Sequence, residues 1–171
     1  LGSVWLDIPN ARIVGVADGG NGGAKKELRK LKLDKSLGYS DYHKMLVETK
    51  PEFVSIAPRH PDQHKDMCLA AIAAGVRGLY VEKPFLRTPR ECDEVLAAAE
   101  KAGAKIAVAH RNRYHPALQV IDALVRQGKL GKLLEIRGRG KGDHRGGAED
   151  LWVLGTHTLN LVSYFGGAPK T

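Results

Sequence analysis

Two cysteines, no apolar run long enough for a membrane helix and no basic start with an apolar core in residues 1 to 10 bound this 171-residue sequence. Cys68 and Cys92 each fall where a helix would turn its apolar face, which suits buried thiols in a reducing compartment and leaves no disulfide framework or cysteine-based metal site. A membrane helix needs roughly 18 consecutive apolar residues, and no run approaches that. These absences predict a soluble, cytoplasmic chain without a signal peptide. The seven histidines are spread along the chain with no paired cysteine beside them, so no metal is expected.

Acid is also scarce. Against 27 lysines and arginines stand 19 aspartates and glutamates, a formal charge of +8. Such a balance raises a nucleic-acid partner, because neutralisation of phosphates dominates that kind of binding. The distribution argues otherwise: Lys25, Lys26, Glu27, Arg29 and Lys30 mix both signs, as a solvated helix face does. The denser cluster of Arg137, Arg139, Lys141 and Arg145, balanced only by Glu135 and Asp143, has no aromatic stacking platform beside it. Neither a nucleic acid nor a membrane is expected as a partner. A hydrophobic content of 43% is enough to bury a core.

What is present is an alternation of short apolar runs and helix-length amphipathic stretches. The runs Arg12 to Ala17, Phe53 to Ala57, Arg77 to Val81 and Lys105 to Ala109 predict neighbouring parallel strands, each covered on both faces. Between them lie helices at about Ala24 to Leu31, Tyr42 to Glu48 capped by Ser40 with Leu46 and Val47 facing inward, and Asp62 to Ala74 closed by Gly75. A fourth helix follows Thr88, Pro89 and Glu91, a capping box, with Cys92, Val95, Leu96 and Ala99 as its stripe and Gly103 as its stop. This rhythm predicts an α/β chain with a Rossmann-like, doubly wound parallel sheet. It changes after Ala109, where a helix at His115 to Gln127, a strand at Leu133 to Gly138 and a helix at Asp150 to Phe165 suggest a second α+β domain beginning near Tyr114.

In such folds ligands bind at the carboxyl edge of the sheet. Asp18 follows the first strand, where an acid accepts from the ribose hydroxyls of a dinucleotide; the plain alternative is a turn aspartate before two glycines. Glu82-Lys83-Pro84 follows the strand ending at Val81, where a lysine can donate to a substrate hydroxyl or carbonyl. His110, Arg111, Asn112 and Arg113 follow another strand and line the same edge. His157, in Gly155-Thr156-His157, lies on an apolar helix with Asp150 and Asn160 nearby in sequence; it is either a core histidine or a proton-transfer group. His64 reads as structural.

Val16-Ala17-Asp18, Ala57-Pro58, Ala73-Ala74-Gly75, Glu82-Lys83-Pro84, Asn112-Arg113-Tyr114-His115-Pro116, Gly128 to Gly131 and Gly155-Thr156-His157 occur in an order that resembles the glucose-fructose oxidoreductase and inositol dehydrogenase family across essentially the whole chain. The resemblance implies an NAD- or NADP-dependent dehydrogenase acting on a sugar or polyol, homo-oligomeric at full length. It implies a Rossmann domain over residues 1–113, lacking its first strand and glycine-rich turn, and the beginning of a substrate domain over 114–171. The implied catalytic residues are Lys83 and His157. The implied cofactor contacts are Asp18, Pro58, Glu82, Lys83 and Arg113, and the implied substrate contacts are Lys83, Asp150 and His157. The chain departs from the family pattern at Val153 and Asn160, where acids are common, and the alternative reading is a non-catalytic dinucleotide- or sugar-binding regulatory protein of the same fold.

Overall fold

The computed structural model describes residues 2–20, 23–58, 60–140 and 151–168. It divides into two compact units, Leu1–Ala107 and Val108–Thr171. In the first, strand β1 (Val16–Ala17) pairs in parallel with β2 (Gly38–Tyr39), Val16 opposite Gly38. Strands β3 (Phe53–Ile56), β4 (Gly78–Val81) and β5 (Lys105–Val108) form a second sheet in that order, with β3 parallel to β4 and Ile56 opposite Val81. Helices α1 (Gly23–Leu31), α3 (His64–Ala73) and α4 (Pro89–Ala102) connect neighbouring strands as crossovers do, and α2 (Tyr42–Thr49) leads from the first sheet to the second. The fold is α/β, as the alternation predicts.

The four runs do not form one continuous sheet. A doubly wound sheet runs 3-2-1-4-5-6. The order β2-β1 matches two neighbouring places of that sequence and β3-β4-β5 three others, and β1 does not pair with β3. The ladder from Arg12 shrinks to Val16–Ala17, and β2, only two residues long and half glycine, carries no periodic signal of its own.

Cover on both faces holds for β4, where only Tyr80 is half-buried, but not for its neighbours. Along β3 burial alternates, with Phe53 and Ser55 exposed, Val54 half-buried and Ile56 buried. Ile56, Leu79 and Val81 turn toward Leu46, Cys68, Ile72, Val95 and Ala99, which form the core with them. On the other face the Phe53 ring lies over Gly78, where a Cβ would come within 2.5 Å of it.

The helix ends follow side-chain chemistry closely. Helix α2 is capped by Asp41, not Ser40: the carboxylate accepts from His43 N at 2.8 Å. Thr88 caps α4 by accepting from Glu91 N at 3.2 Å, and Gly103, at φ 68°, ends it in the left-handed conformation that favours glycine. The reciprocal half of the capping box differs, because Glu91 turns its carboxylate to Arg87, accepting from the backbone N at 2.9 Å and from Nε and Nη2 at 3.0 and 2.6 Å. The buried stripes are narrower than predicted. Leu46 is buried but Val47 is 70% exposed, and Leu96 is exposed beside the fully buried Val95. Cys68 is buried and Cys92 only partly so, both as free thiols.

In the second unit a 3-10 turn at Arg111–Tyr114 leads into α5 (Pro116–Arg126), capped by His115, whose Nδ1 accepts from Ala117 N at 3.2 Å. A π-helical turn at Leu151–Gly155 runs directly into α6 (Thr156–Gly166), with Gly155 itself right-handed helical, so the predicted helix is continuous with a widened first turn. The predicted strand at Leu133 to Gly138 is absent: residues 131–140 form no regular element and Leu134 is 86% exposed. A strand persists only through pairing, and no described strand pairs with this stretch. Among the described residues no helix is long and apolar enough to cross a membrane.

Candidate functional site

The sequence places its candidates just past strand ends, and the local geometry there is specific. Asp18 directly follows β1. Its N–H donates to Tyr39 O at 3.1 Å, extending the ladder, and its Oδ1 accepts from Gly20 N at 2.8 Å. Gly23, the first residue of α1, packs so tightly here that a Cβ would lie 2.5 Å from the Asp18 carbonyl oxygen. The result is an exposed, acceptor-only group at a strand's carboxyl end. It matches the donors of a ribose diol and repels a phosphate in the same place.

The neighbouring sheet presents Pro58 and Glu82-Lys83 from adjacent strands. Glu82 N donates to Ile56 O at 2.8 Å, so β3 and β4 stay paired up to the residue before Lys83. The Lys83 side chain is only 12% exposed, with Nζ 3.9 Å from Glu82 Oε1, and the same oxygen accepts from Lys83 N at 3.1 Å. The Lys83–Pro84 peptide bond is cis. Phe85 and Leu86 then turn into the core, and Arg87 is locked to Glu91. Lys83 therefore projects from a short segment anchored at both ends. An ammonium held in this way, nearly desolvated, can donate to a hydroxyl or carbonyl oxygen with little ordering cost.

In the second unit the rings of His110 and His157 meet edge to face, their centroids 5.8 Å apart and their planes at 85°. The Thr156 Oγ1 and Asn160 Oδ1 atoms are buried on the same helix without a hydrogen-bond partner among the described residues. Buried polar atoms of this kind ordinarily find a partner in protein, water or ligand. The cluster is thus polar in an otherwise apolar helix. The Arg113 guanidinium stacks over the Tyr164 ring, 4.7 Å from its centroid. That contact occupies the face of a side chain predicted to meet the cofactor.

Lys83 and its neighbours belong to the first unit, His110, Arg113 and His157 to the second. Asp150 lies outside the described residues, as do Lys141, Asp143 and Arg145 of the basic cluster. Arg137 of that cluster pairs with Glu135 at 2.9 Å. Sequence reasoning placed His110 at a strand edge without a role; its contact with His157 has no signature in spacing, because 47 residues of chain separate them. A concavity lined by Leu46, Lys50, Pro51, Ala74 and Arg77 touches none of the candidate residues. Among the described residues no three His, Cys, Asp or Glu side chains cluster to hold a metal.

The family model described as an oxidoreductase family with an NAD-binding Rossmann fold, the glucose-fructose oxidoreductase and inositol dehydrogenase family, matches residues 2–110, and the chain belongs to that family. It is similar to the D-apiose dehydrogenase of Paraburkholderia graminis, 30% identical over 74% of this chain and 33% of that protein. The mouse trans-1,2-dihydrobenzene-1,2-diol dehydrogenase is 29% identical over 98% of this chain and 53% of its own. Among solved structures, an NAD-binding oxidoreductase from Klebsiella pneumoniae superposes with a TM-score of 0.73 at 25% identity, over 97% of this chain and 48% of that one. The apo scyllo-inositol dehydrogenase of Lactobacillus casei gives a TM-score of 0.82 at 16% identity over 96% and 49%, a likeness of fold. The chain spans about a third to a half of the length of the curated relatives it matches.

Proposed function

We propose that the protein carrying this chain is an NAD-dependent dehydrogenase that oxidises a secondary hydroxyl of a sugar, cyclitol or related polyol. Residues 1–113 serve as its cofactor domain and residues 114–171 contribute to its substrate domain. The observation that carries the reading is the placement of Lys83, nearly buried beside Glu82 at the carboxyl end of β4. The names of the relatives, D-apiose, inositol and dihydrobenzene-diol dehydrogenases, share vicinal hydroxyl chemistry and support the same substrate class.

In this reading Asp18 accepts from the adenosine ribose hydroxyls, which favours NAD over NADP. Pro58, Glu82 and Lys83 border the nicotinamide end, and Arg113 borders the cofactor with the edge of its stacked guanidinium. Bound nicotinamide supplies the hydride acceptor. Lys83 donates to the reacting oxygen and orients it. His157 takes the hydroxyl proton, imidazole being matched to neutral pH, and Asp150 contributes to the substrate wall. Cytoplasmic location and homo-oligomerisation complete the proposal.

The test is turnover of NAD by the full-length protein across a panel of cyclitols, aldoses and vicinal diols, beside a direct measurement of dinucleotide affinity. NAD binding with turnover of at least one polyol is the expected result. Binding without turnover on any of them would favour the regulatory reading to which the Val153 and Asn160 departures point.

A further inference from the structure

Helix α3 opens on a histidine that the mechanism above does not use. His64 is completely buried, an imidazole among the apolar groups and the thiol that make up the other largest fully buried side chains of the described residues. Its two ring nitrogens face two backbone carbonyls from different loops: Nδ1 lies 2.9 Å from Phe85 O and Nε2 3.2 Å from Pro58 O. We propose that His64 is a positioning residue for the candidate site, its ring tying the loop that carries Lys83 to the loop that leaves β3.

The geometry makes this a clamp and not a space-filler. Pro58 lies two residues beyond β3, and Phe85 two residues beyond Lys83, on adjacent parallel strands. Carbonyl oxygens only accept, so each link requires a proton on the nitrogen that faces it. A neutral ring with its proton on Nδ1 donates to Phe85 O, the shorter of the two contacts, and this is the tautomer the clamp requires. Downstream, Arg87 is held separately by Glu91, and α3 is tied to α4 by Lys65 Nζ to Glu94 Oε2 at 2.7 Å. What His64 adds is a direct tie at the Phe85 carbonyl, two residues beyond Lys83. Loss of its Nδ1 donor removes that tie while the flanking helices keep their own contacts.

This inference rests on the reading that Lys83 acts on substrate, and its test has an arm independent of that reading. Three variants of the full-length protein separate the two links. In His64→Asn the amide nitrogen occupies the place of Nδ1 and restores the donor to Phe85 O. In His64→Gln the amide nitrogen falls near Nε2 and reaches only Pro58 O. His64→Leu restores neither.

Amide hydrogen exchange of residues 82–86 is measured without cofactor, relative to exchange in β3 and α4, since local opening is resolved from global unfolding in that comparison. The expected result is faster exchange confined to 82–86 in the Leu and Gln variants, with protection recovered in Asn. In turnover, Leu and Gln lose about 10-fold to 10²-fold in kcat, as misplacement of a reacting group by an ångström does. Asn recovers most of it, and dinucleotide affinity stays level throughout. Should Leu fail to fold, Asn against Gln decides the same question. Equal exchange in Asn and Gln, or acceleration spread evenly over the whole unit, overturns the clamp. If exchange behaves as expected while Lys83→Ala leaves turnover intact, the clamp stands and the catalytic reading of Lys83 falls.

Discussion

His110 and His157 meet edge to face with centroids 5.8 Å apart, joining the residue that leaves the last strand region to the second residue of α6. An imidazole edge is its positive rim and an imidazole face its negative one, so the contact fixes ring orientation as aromatic pairs do. His157 is thus held by a neighbour suited to orient it. In the full-length protein, His110→Leu is expected to lower kcat by roughly 10-fold, less than loss of the proton-transfer group itself, with little change in dinucleotide affinity. Steady-state kinetics paired with a cofactor titration checks this. A variant with unaltered kcat would leave the contact a matter of packing alone.

Asp18 should set cofactor choice. Asp18→Ala removes the acceptor for the ribose hydroxyls and the repulsion of a 2′-phosphate, so affinity for NAD falls while that for NADP falls less or rises. Dissociation constants for NADH and NADPH, measured by the fluorescence of the reduced nicotinamide, decide it. Wild-type preference for NADP would contradict the assignment.

The Arg87–Glu91 lock predicts acid sensitivity. The side-chain hydrogen bonds from Arg87, and then its backbone N–H, hold the Glu91 carboxyl below the usual carboxylate range. A carboxyl depressed in the folded state contributes stability above its unfolded value of about 4.3, and that contribution is lost as pH falls through the folded value. Glu91→Gln should therefore lower the urea midpoint at neutral pH and lower it much less near about pH 3. An equal difference at both pH values would show that the ion pair contributes nothing.

The two thiols should differ. Burial pushes Cys68 up to about 12, and Cys92, only partly buried, is raised as well. Thiolates are the reactive form, so iodoacetamide at neutral pH is expected to modify Cys92 first and Cys68 only on unfolding. Mass spectrometry of the labelled peptides reads the order directly.

Much of the fold was legible because it is written in local chemistry. Thr88, Pro89 and Gly103 mark α4 at both ends, and the apolar runs at Phe53 to Ile56 and Gly78 to Val81 became strands. What sequence could not show was pairing. Nothing in the run from Arg12 reveals that its ladder holds only at Val16 and Ala17, or that its partner is Gly38-Tyr39. The alternation at Leu133 to Gly138 has the pattern of a strand without a described neighbour to pair with. The candidate residues at strand ends were found because position on a parallel sheet follows from the order of elements. The two carbonyls around His64, and the ring beside His157, were not, because contacts across 21 and 47 residues leave no trace in spacing.

The proposed function has Lys83 and His157 act on the same hydroxyl. Single-turnover reduction of NAD by the full-length protein, followed through nicotinamide absorbance with a polyol that it oxidises, tests this most directly in wild type, Lys83→Ala, His157→Ala and the double variant. Each single variant should slow hydride transfer by about 10² or more with the cofactor still bound, and the double variant should fall well short of the product of the two losses, as groups acting as a unit do. Unchanged transfer per folded, cofactor-bound molecule in either single variant would contradict the account.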